Sequence, residues 1–186
     1  MGNPLRDRRT PSELAESGQV IDFKQKIDDF ERLAAIVQAD LAALDPDTLP
    51  AGWRDEPVSG RLEFSFADAQ NQFPVLDGRV AVAVDAVCQR CLAPIRYPLE
   101  VPLRLMFGTA ADGSLAAGDY EFWELSEAML RPLDVVDEAL VMAMPLAAMH
   151  ENDASCCGPE EAVGISAEKI QPFASLKSQM DKENQN

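Results

Sequence analysis

Across residues 95–107 every second side chain is apolar: Ile95, Tyr97, Leu99, Val101, Leu103, Leu105 and Phe107, with Arg96, Glu100 and Arg104 between them. Only an extended chain puts residues two apart on one face. The run therefore predicts a long strand with one side on a core and the other in water. Two earlier runs repeat the pattern. Leu62, Phe64 and Phe66 alternate with Arg61, Glu63 and Ser65, and Val80, Val82, Val84 and Ala86 share a face after a predicted Asp77-Gly78 turn. Residues 58–107 thus read as antiparallel strands. Pro98 and Pro102 have the same parity in the third run, so their missing donors lie along one edge. That suits an edge strand, or one paired along a single side.

Helical signals flank this block. Phe23, Ile27, Phe30, Ala34, Val37, Leu41 and Leu44 step by four and three, with Asp22 as an N-cap and Pro46 as a stop. The stripe is barely three heptads long, which favours a helix laid on its own sheet over a coiled-coil strip for a partner. A second helix is predicted over residues 133–144, with Pro132 at its start. Asp134, Asp137 and Glu138 in its first two turns are read as solvated charges complementing the helix N-terminus, not as a general acid and base. Residues 108–118 form a loop rich in Gly, Ala and Asp. Residues 151–186 are polar and irregular, with one apolar island at Pro172, Phe173 and Leu176, and are expected to fray. The expected division is one α+β domain over 1–165 and a polar, flexible tail over 166–186.

At 186 residues and 47% apolar composition the chain can bury a substantial core. No apolar run is long enough to span a bilayer, and no secretory signal follows the arginine-bearing N-terminus, so a cytoplasmic protein is expected. Charge restricts function further. Sixteen basic against 32 acidic residues leave a net of −16. Residues 58–107 are neutral, with five of each sign, whereas residues 111–186 carry four basic and fifteen acidic side chains. A phosphate backbone is bound by lysines and arginines that displace counterions, so a chain of this charge is a poor nucleic-acid binder. Weak direct contact with nucleic acid is the expectation, and a basic protein is the better-matched partner.

Cys88-Gln89-Arg90-Cys91 is a C-x2-C between two predicted strands, where a tight knuckle is natural. The only histidine, His150, comes 58 intervening residues later, followed by Cys156 and Cys157. A tetrahedral zinc site needs four Cys or His ligands, commonly as two close pairs held by different segments. Closing the long loop costs about 4 kcal/mol, against roughly 10–16 kcal/mol from structural zinc. Three other readings stand beside zinc: buried inert thiols, a Cys88–Cys91 redox pair, or an incidental Cys156–Cys157 doublet. Catalytic signals are weak. One histidine without a serine or aspartate partner makes no hydrolase triad, no Gly-rich phosphate loop occurs, and the histidine follows the C-x2-C instead of preceding it as in zinc deaminases.

Residues 87–94, Val-Cys-Gln-Arg-Cys-Leu-Ala-Pro, closely resemble the central motif of the YceD family, the large ribosomal RNA subunit accumulation proteins. Residues 136–146, acidic and apolar and ending at Pro145-Leu146 before His150, are similar to the family's second conserved stretch. Pro172-Phe173-Ala174-Ser175-Leu176-Lys177 is similar to its short C-terminal segment. The resemblance implies a bacterial cytoplasmic protein, without catalytic activity, that supports synthesis, processing or accumulation of large-subunit (23S) rRNA. A ribosomal precursor or a ribosomal protein is the implied partner, with no membrane and no small-molecule substrate. Relatives with a zinc-ribbon-like cysteine pattern strengthen the zinc reading, with Cys88, Cys91, His150 and Cys156 as metal ligands and Cys157 competing for the fourth place. The fold expected is α+β: an antiparallel sheet, a packed N-terminal helix, a second helical segment and an irregular acidic C-terminal tail. The alternative function is a thiol redox or zinc-dependent chaperone-like protein acting through Cys88 and Cys91. A third is direct RNA binding by Arg90, Arg96 and Arg104.

Overall fold

The computed structural model describes residues 3–68, 70, 72–109, 119–150 and 156. Its frame is a five-stranded sheet in sequence order: β1 (Val20–Lys26), β2 (Pro57–Phe66), β3 (Pro74–Val87), β4 (Pro94–Gly108) and β5 (Glu121–Glu124). The first four strands are antiparallel, as their alternation predicts. The fifth runs parallel to β4, which corrects the expectation of a wholly antiparallel sheet. The register sets the two faces. Ile21, Leu62, Leu76, Val80, Val82, Leu99, Leu103 and Leu105 are buried on one side. Asp22, Ser59, Arg61, Glu63, Arg79, Glu100 and Arg104 are exposed. β5 reaches β4 only from Leu105 onward, so Pro98 and Pro102 lie where β4 is paired with β3 alone. Their missing donors cost no ladder bond there.

Asp77-Gly78 is not a turn. Both residues sit inside β3 opposite Glu63 and Leu62, and the connection from β2 runs through residues 67–73. The glycine answers a steric need: a Cβ at position 78 would stand 2.7 Å from the Arg61 carbonyl oxygen of the neighbouring strand.

Three helices are described: α1 (Pro11–Glu16), α2 (Glu31–Leu41) and α3 (Pro132–Ala143). α3 matches its prediction. The first predicted helix starts too early, because Asp22 and Phe23 belong to β1 and Ile27 to a 3-10 turn over Ile27–Asp29. Phe23 and Ile27 fit a period of four, but Ile21 and Phe23 alternating with Asp22 and Lys24 fit a period of two. Pairing with β2 along seven residues decides the matter. From Leu33 the expected stripe holds, with Leu33, Ala34, Val37 and Leu41 buried. α2 packs on β3 and α3. At the front of the chain, Leu5 is fully buried, its carbonyl accepts from Leu133 N at 2.8 Å, and Arg9 bridges Leu130. The N-terminal segment is thereby strapped to the start of α3.

Asp137 departs from its expected role. It is 6% exposed, and its two carboxylate oxygens accept from the backbone N–H groups of Arg32 and Leu33, each at 3.0 Å. The residue that should cap α2 is Phe30, which has no acceptor in its side chain. Asp137 supplies the cap from α3, across the helix pair. Nothing local marks this role, because the helix that Asp137 serves is not its own. Asp134 and Glu138 do behave as surface charges, pairing with Arg131 and Arg32. The tail expected over 166–186 and its apolar island lie outside the described residues.

Candidate metal centre

β3 ends at Val87 and β4 begins at Pro94, so the C-x2-C occupies the connection between two long paired strands. Local hydrogen bonds fold it into a knuckle: Leu92 N–H donates to the Cys88 carbonyl and Cys88 N–H to the Ala93 carbonyl, both at 2.9 Å. Leu92 closes the turn with φ +58°, the left-handed region that favours glycine, while its side chain stands in solvent. An L-residue there costs about 1–2 kcal/mol. Leu92→Gly is expected to raise stability by up to about 1 kcal/mol after the entropy of the added glycine is deducted. Urea unfolding checks this; a loss of stability would show that the turn needs the leucine side chain.

Two further bonds place the knuckle. Asp40 near the end of α2 accepts from Val87 N at 2.7 Å, and Gln89 N–H donates to the Ala148 carbonyl at 2.9 Å. The second of these draws in the segment after α3. That helix ends at Ala143, one residue before Met144 and Pro145, because the residue preceding a proline is disfavoured in helical conformation. The chain then turns through Ala148 to His150.

The result is a convergence of Cys88, Cys91, His150 and Cys156, whose ligand atoms all lie within 4.8 Å of one another. Cys88 Sγ is 3.5 Å from Cys156 Sγ, and Cys91 Sγ is 3.6 Å from His150 Nδ1. A tetrahedron with zinc–sulfur bonds of about 2.3 Å and zinc–nitrogen bonds of about 2.05 Å has edges of about 3.8 Å (S–S) and 3.6 Å (S–N). The two closest contacts are near those lengths. Each joins the knuckle to a segment more than fifty residues away, and none of the three thiols is in a disulfide. Cys88 and Cys156 are buried, whereas Cys91 and His150 are half-buried.

The electrostatics suit thiolate ligation. The backbone N–H of Cys91, helped by those of Arg90 and His150, points at the Cys88 sulfur and brings its thiol down to about 5. Burial first, then the neighbouring sulfurs of Cys88 and Cys91, push Cys156 up to about 11. One sulfur is a ready anion and the other keeps a proton to share with it. A divalent cation would take that proton's place and neutralise the buried negative charge.

All four ligand candidates from the sequence come together. Cys157 lies outside the described residues. Asp40 and Ala148, which hold the knuckle in place, carried no sequence signal, since one acts through an unpatterned carboxylate and the other through its backbone.

Two of the three arginines offered for RNA contact, Arg96 and Arg104, are engaged by carboxylates. Arg96 pairs with Glu56 and faces Asp85, while Arg104 meets Asp77 at 3.5 Å and Asp119 at 3.2 Å. The guanidinium of Arg104 also stacks over Tyr120, whose hydroxyl donates to Asp77 at 2.8 Å. Burial pushes the Asp85 carboxyl up, Arg96 pulls it down and Glu56 adds to the rise. No helix among the described residues is long and apolar enough to cross a membrane.

Sheet, helices and knuckle define a small α+β protein organised around a cysteine–histidine cluster. The family model for the large ribosomal RNA subunit accumulation protein YceD matches residues 76–179, more than half of the chain, and the chain belongs to that family. It is 28% identical over 125 residues to the large ribosomal RNA subunit accumulation protein YceD of Haemophilus influenzae (strain ATCC 51907 / DSM 11121 / KW20 / Rd), an alignment covering 62% of this chain and 71% of the relative. No solved structure matches it.

Proposed function

We propose that this chain is a non-catalytic ribosome-biogenesis factor of the cytoplasm that supports synthesis, processing or accumulation of large-subunit rRNA. In this reading Cys88, Cys91, His150 and Cys156 hold one structural zinc. The observation that carries the functional reading is family membership, together with the name borne by the Haemophilus relative. Four protein ligands would fill a tetrahedral sphere and leave no position for water, so the metal's task is to join segments. It ties the knuckle between β3 and β4 to the chain leaving α3. The thiol-redox alternative draws no support from the close contacts, which run from the knuckle outward to His150 and Cys156.

Depleting the protein in a bacterium that encodes it should lower the ratio of large- to small-subunit rRNA, and the wild-type gene should restore it. An unchanged ratio in depleted cells would overturn the reading. Direct grip on rRNA is not the means. At physiological salt the purified chain is expected to bind protein-free large-subunit rRNA no tighter than about 1 µM, within the weak, non-specific range. Tighter, salt-sensitive binding in a filter assay would return Arg90, Arg96 and Arg104 to consideration.

A further inference from the structure

The three thiols of the cluster are unequal in access and in what holds them. Cys88 is 0% and Cys156 4% exposed, whereas Cys91 is half-buried. A solute as small as a peroxide therefore meets the Cys91 sulfur first. The Cys88 sulfur accepts from three backbone N–H groups, those of Cys91, Arg90 and His150. Cys156 is held differently. Its sulfur neighbours those of Cys88 and Cys91 and lies within 4.8 Å of both.

These differences sort the three pairings of sulfurs. Cys88 and Cys156 stand 3.5 Å apart, but both are shielded from an oxidant. A Cys88–Cys91 bond would turn the anchored sulfur into a disulfide sulfur, a weak acceptor, and leave three N–H groups poorly matched. Cys91 with Cys156 joins the reachable sulfur to a close neighbour and leaves the anchored one in place.

We propose that Cys91 and Cys156 form a peroxide-operated switch on the metal site, in which oxidation joins them in a disulfide and ejects the zinc. This rests on the reading that Cys88, Cys91, His150 and Cys156 hold one zinc, and it makes the chain a regulated factor, not a redox catalyst. The Cys91 thiolate attacks one oxygen of hydrogen peroxide. A sulfur–oxygen bond forms, the oxygen–oxygen bond breaks and hydroxide leaves, so the sulfur is oxidised to a sulfenic acid. The Cys156 thiolate then attacks the sulfenic sulfur; the disulfide forms and a second hydroxide leaves. The two hydroxides take protons from solvent, giving two waters per peroxide. Two of the four ligands are consumed, and Cys88 and His150 alone are too few to retain the ion. The knuckle stays tied to Cys156, while its metal link to His150 is lost. A thiol reductant with fresh zinc restores the starting state.

Hydrogen peroxide added to the full-length, zinc-loaded chain tests it. A chromogenic chelator reads the released zinc, and mass spectrometry after thiol alkylation maps the disulfides. One zinc should leave per Cys91–Cys156 disulfide formed, and dithiothreitol with added zinc should reverse both. Cys91→His, which offers a nitrogen ligand in place of the reachable sulfur, should release zinc at least about tenfold more slowly, and Cys157→Ser should stay within about twofold of wild type. The wild-type map decides even where Cys91→His fails to load zinc. A different disulfide in that map, zinc release without a disulfide, or zinc retained under excess peroxide overturns the switch and leaves the structural-zinc reading standing. So does release from zinc-loaded Cys91→His as fast as from wild type. A wild type that holds no zinc when purified without chelator overturns the switch and the reading beneath it together.

Discussion

Replacing Cys88 by serine is expected to abolish zinc retention and lower the melting temperature of the metal-loaded protein by roughly 10 °C or more. For a chain of this size that corresponds to several kcal/mol. Structural zinc contributes about 10–16 kcal/mol where it is the main source of folding energy. Here a sheet and three helices already form a core, so only the part that orders the knuckle and the post-helix segment is at stake. Cys88 is the ligand to choose because three backbone N–H groups converge on its sulfur. Serine would present those donors with a neutral hydroxyl, where they are set to receive a thiolate. Wild type should lose the same stability on addition of EDTA, and the variant should not respond. Cys156→Ser should behave like Cys88→Ser, and Cys157→Ser should keep its metal, if Cys156 is the fourth ligand. Metal analysis with paired melts decides it: a wild type that is purified without chelator, holds no zinc and ignores EDTA would leave these cysteines as ordinary thiols.

The second large effect is expected far from the cluster. Asp137→Ala should cost about 3 kcal/mol, because each hydrogen bond from an amide to a carboxylate contributes roughly 1.5–3 kcal/mol. Both amides belong to the first turn of α2, and that of Leu33 is buried where water does not replace the lost oxygen. The substitution also removes a negative charge from the positive end of the helix. Asp137→Asn keeps one acceptor oxygen, so it should recover about half of the loss. Urea unfolding of the three proteins measures the series. An alanine variant within 0.5 kcal/mol of wild type (about the size of an ordinary surface substitution) would mean that the cap is redundant.

These two sites differ in how far they could be read from residues alone. The strand block was legible because alternation leaves a local record: each residue of β2, β3 and β4 carries its facing in its own polarity. α3 was legible for the same reason, with Pro132 marking its start and Pro145 its end. The four ligand candidates were legible because cysteine and histidine are scarce here and their chemistry restricts what they can do in company. The misreadings share a cause. Asp77-Gly78 has the composition of a turn, but Gly78 serves the close approach of Arg61 across the sheet. Phe23 and Ile27 keep helical spacing, but β2 offers seven residues of pairing to the segment that contains Phe23. β5 is four residues long, too short for any period to declare itself.

By itself, then, the sequence determined the period of each long element, the acidic field of the C-terminal half and the identity of the groups able to bind metal. Those properties reside in single residues and their near neighbours. Only the tertiary structure decided that Asp137 caps a helix 104 residues away from it, that Asp40 and Ala148 hold the knuckle, and that Cys88 comes within 3.5 Å of Cys156. Each of these is a contact between distant segments. The donor or acceptor has no local signature, since its partner is chosen by how the helices pack on the sheet.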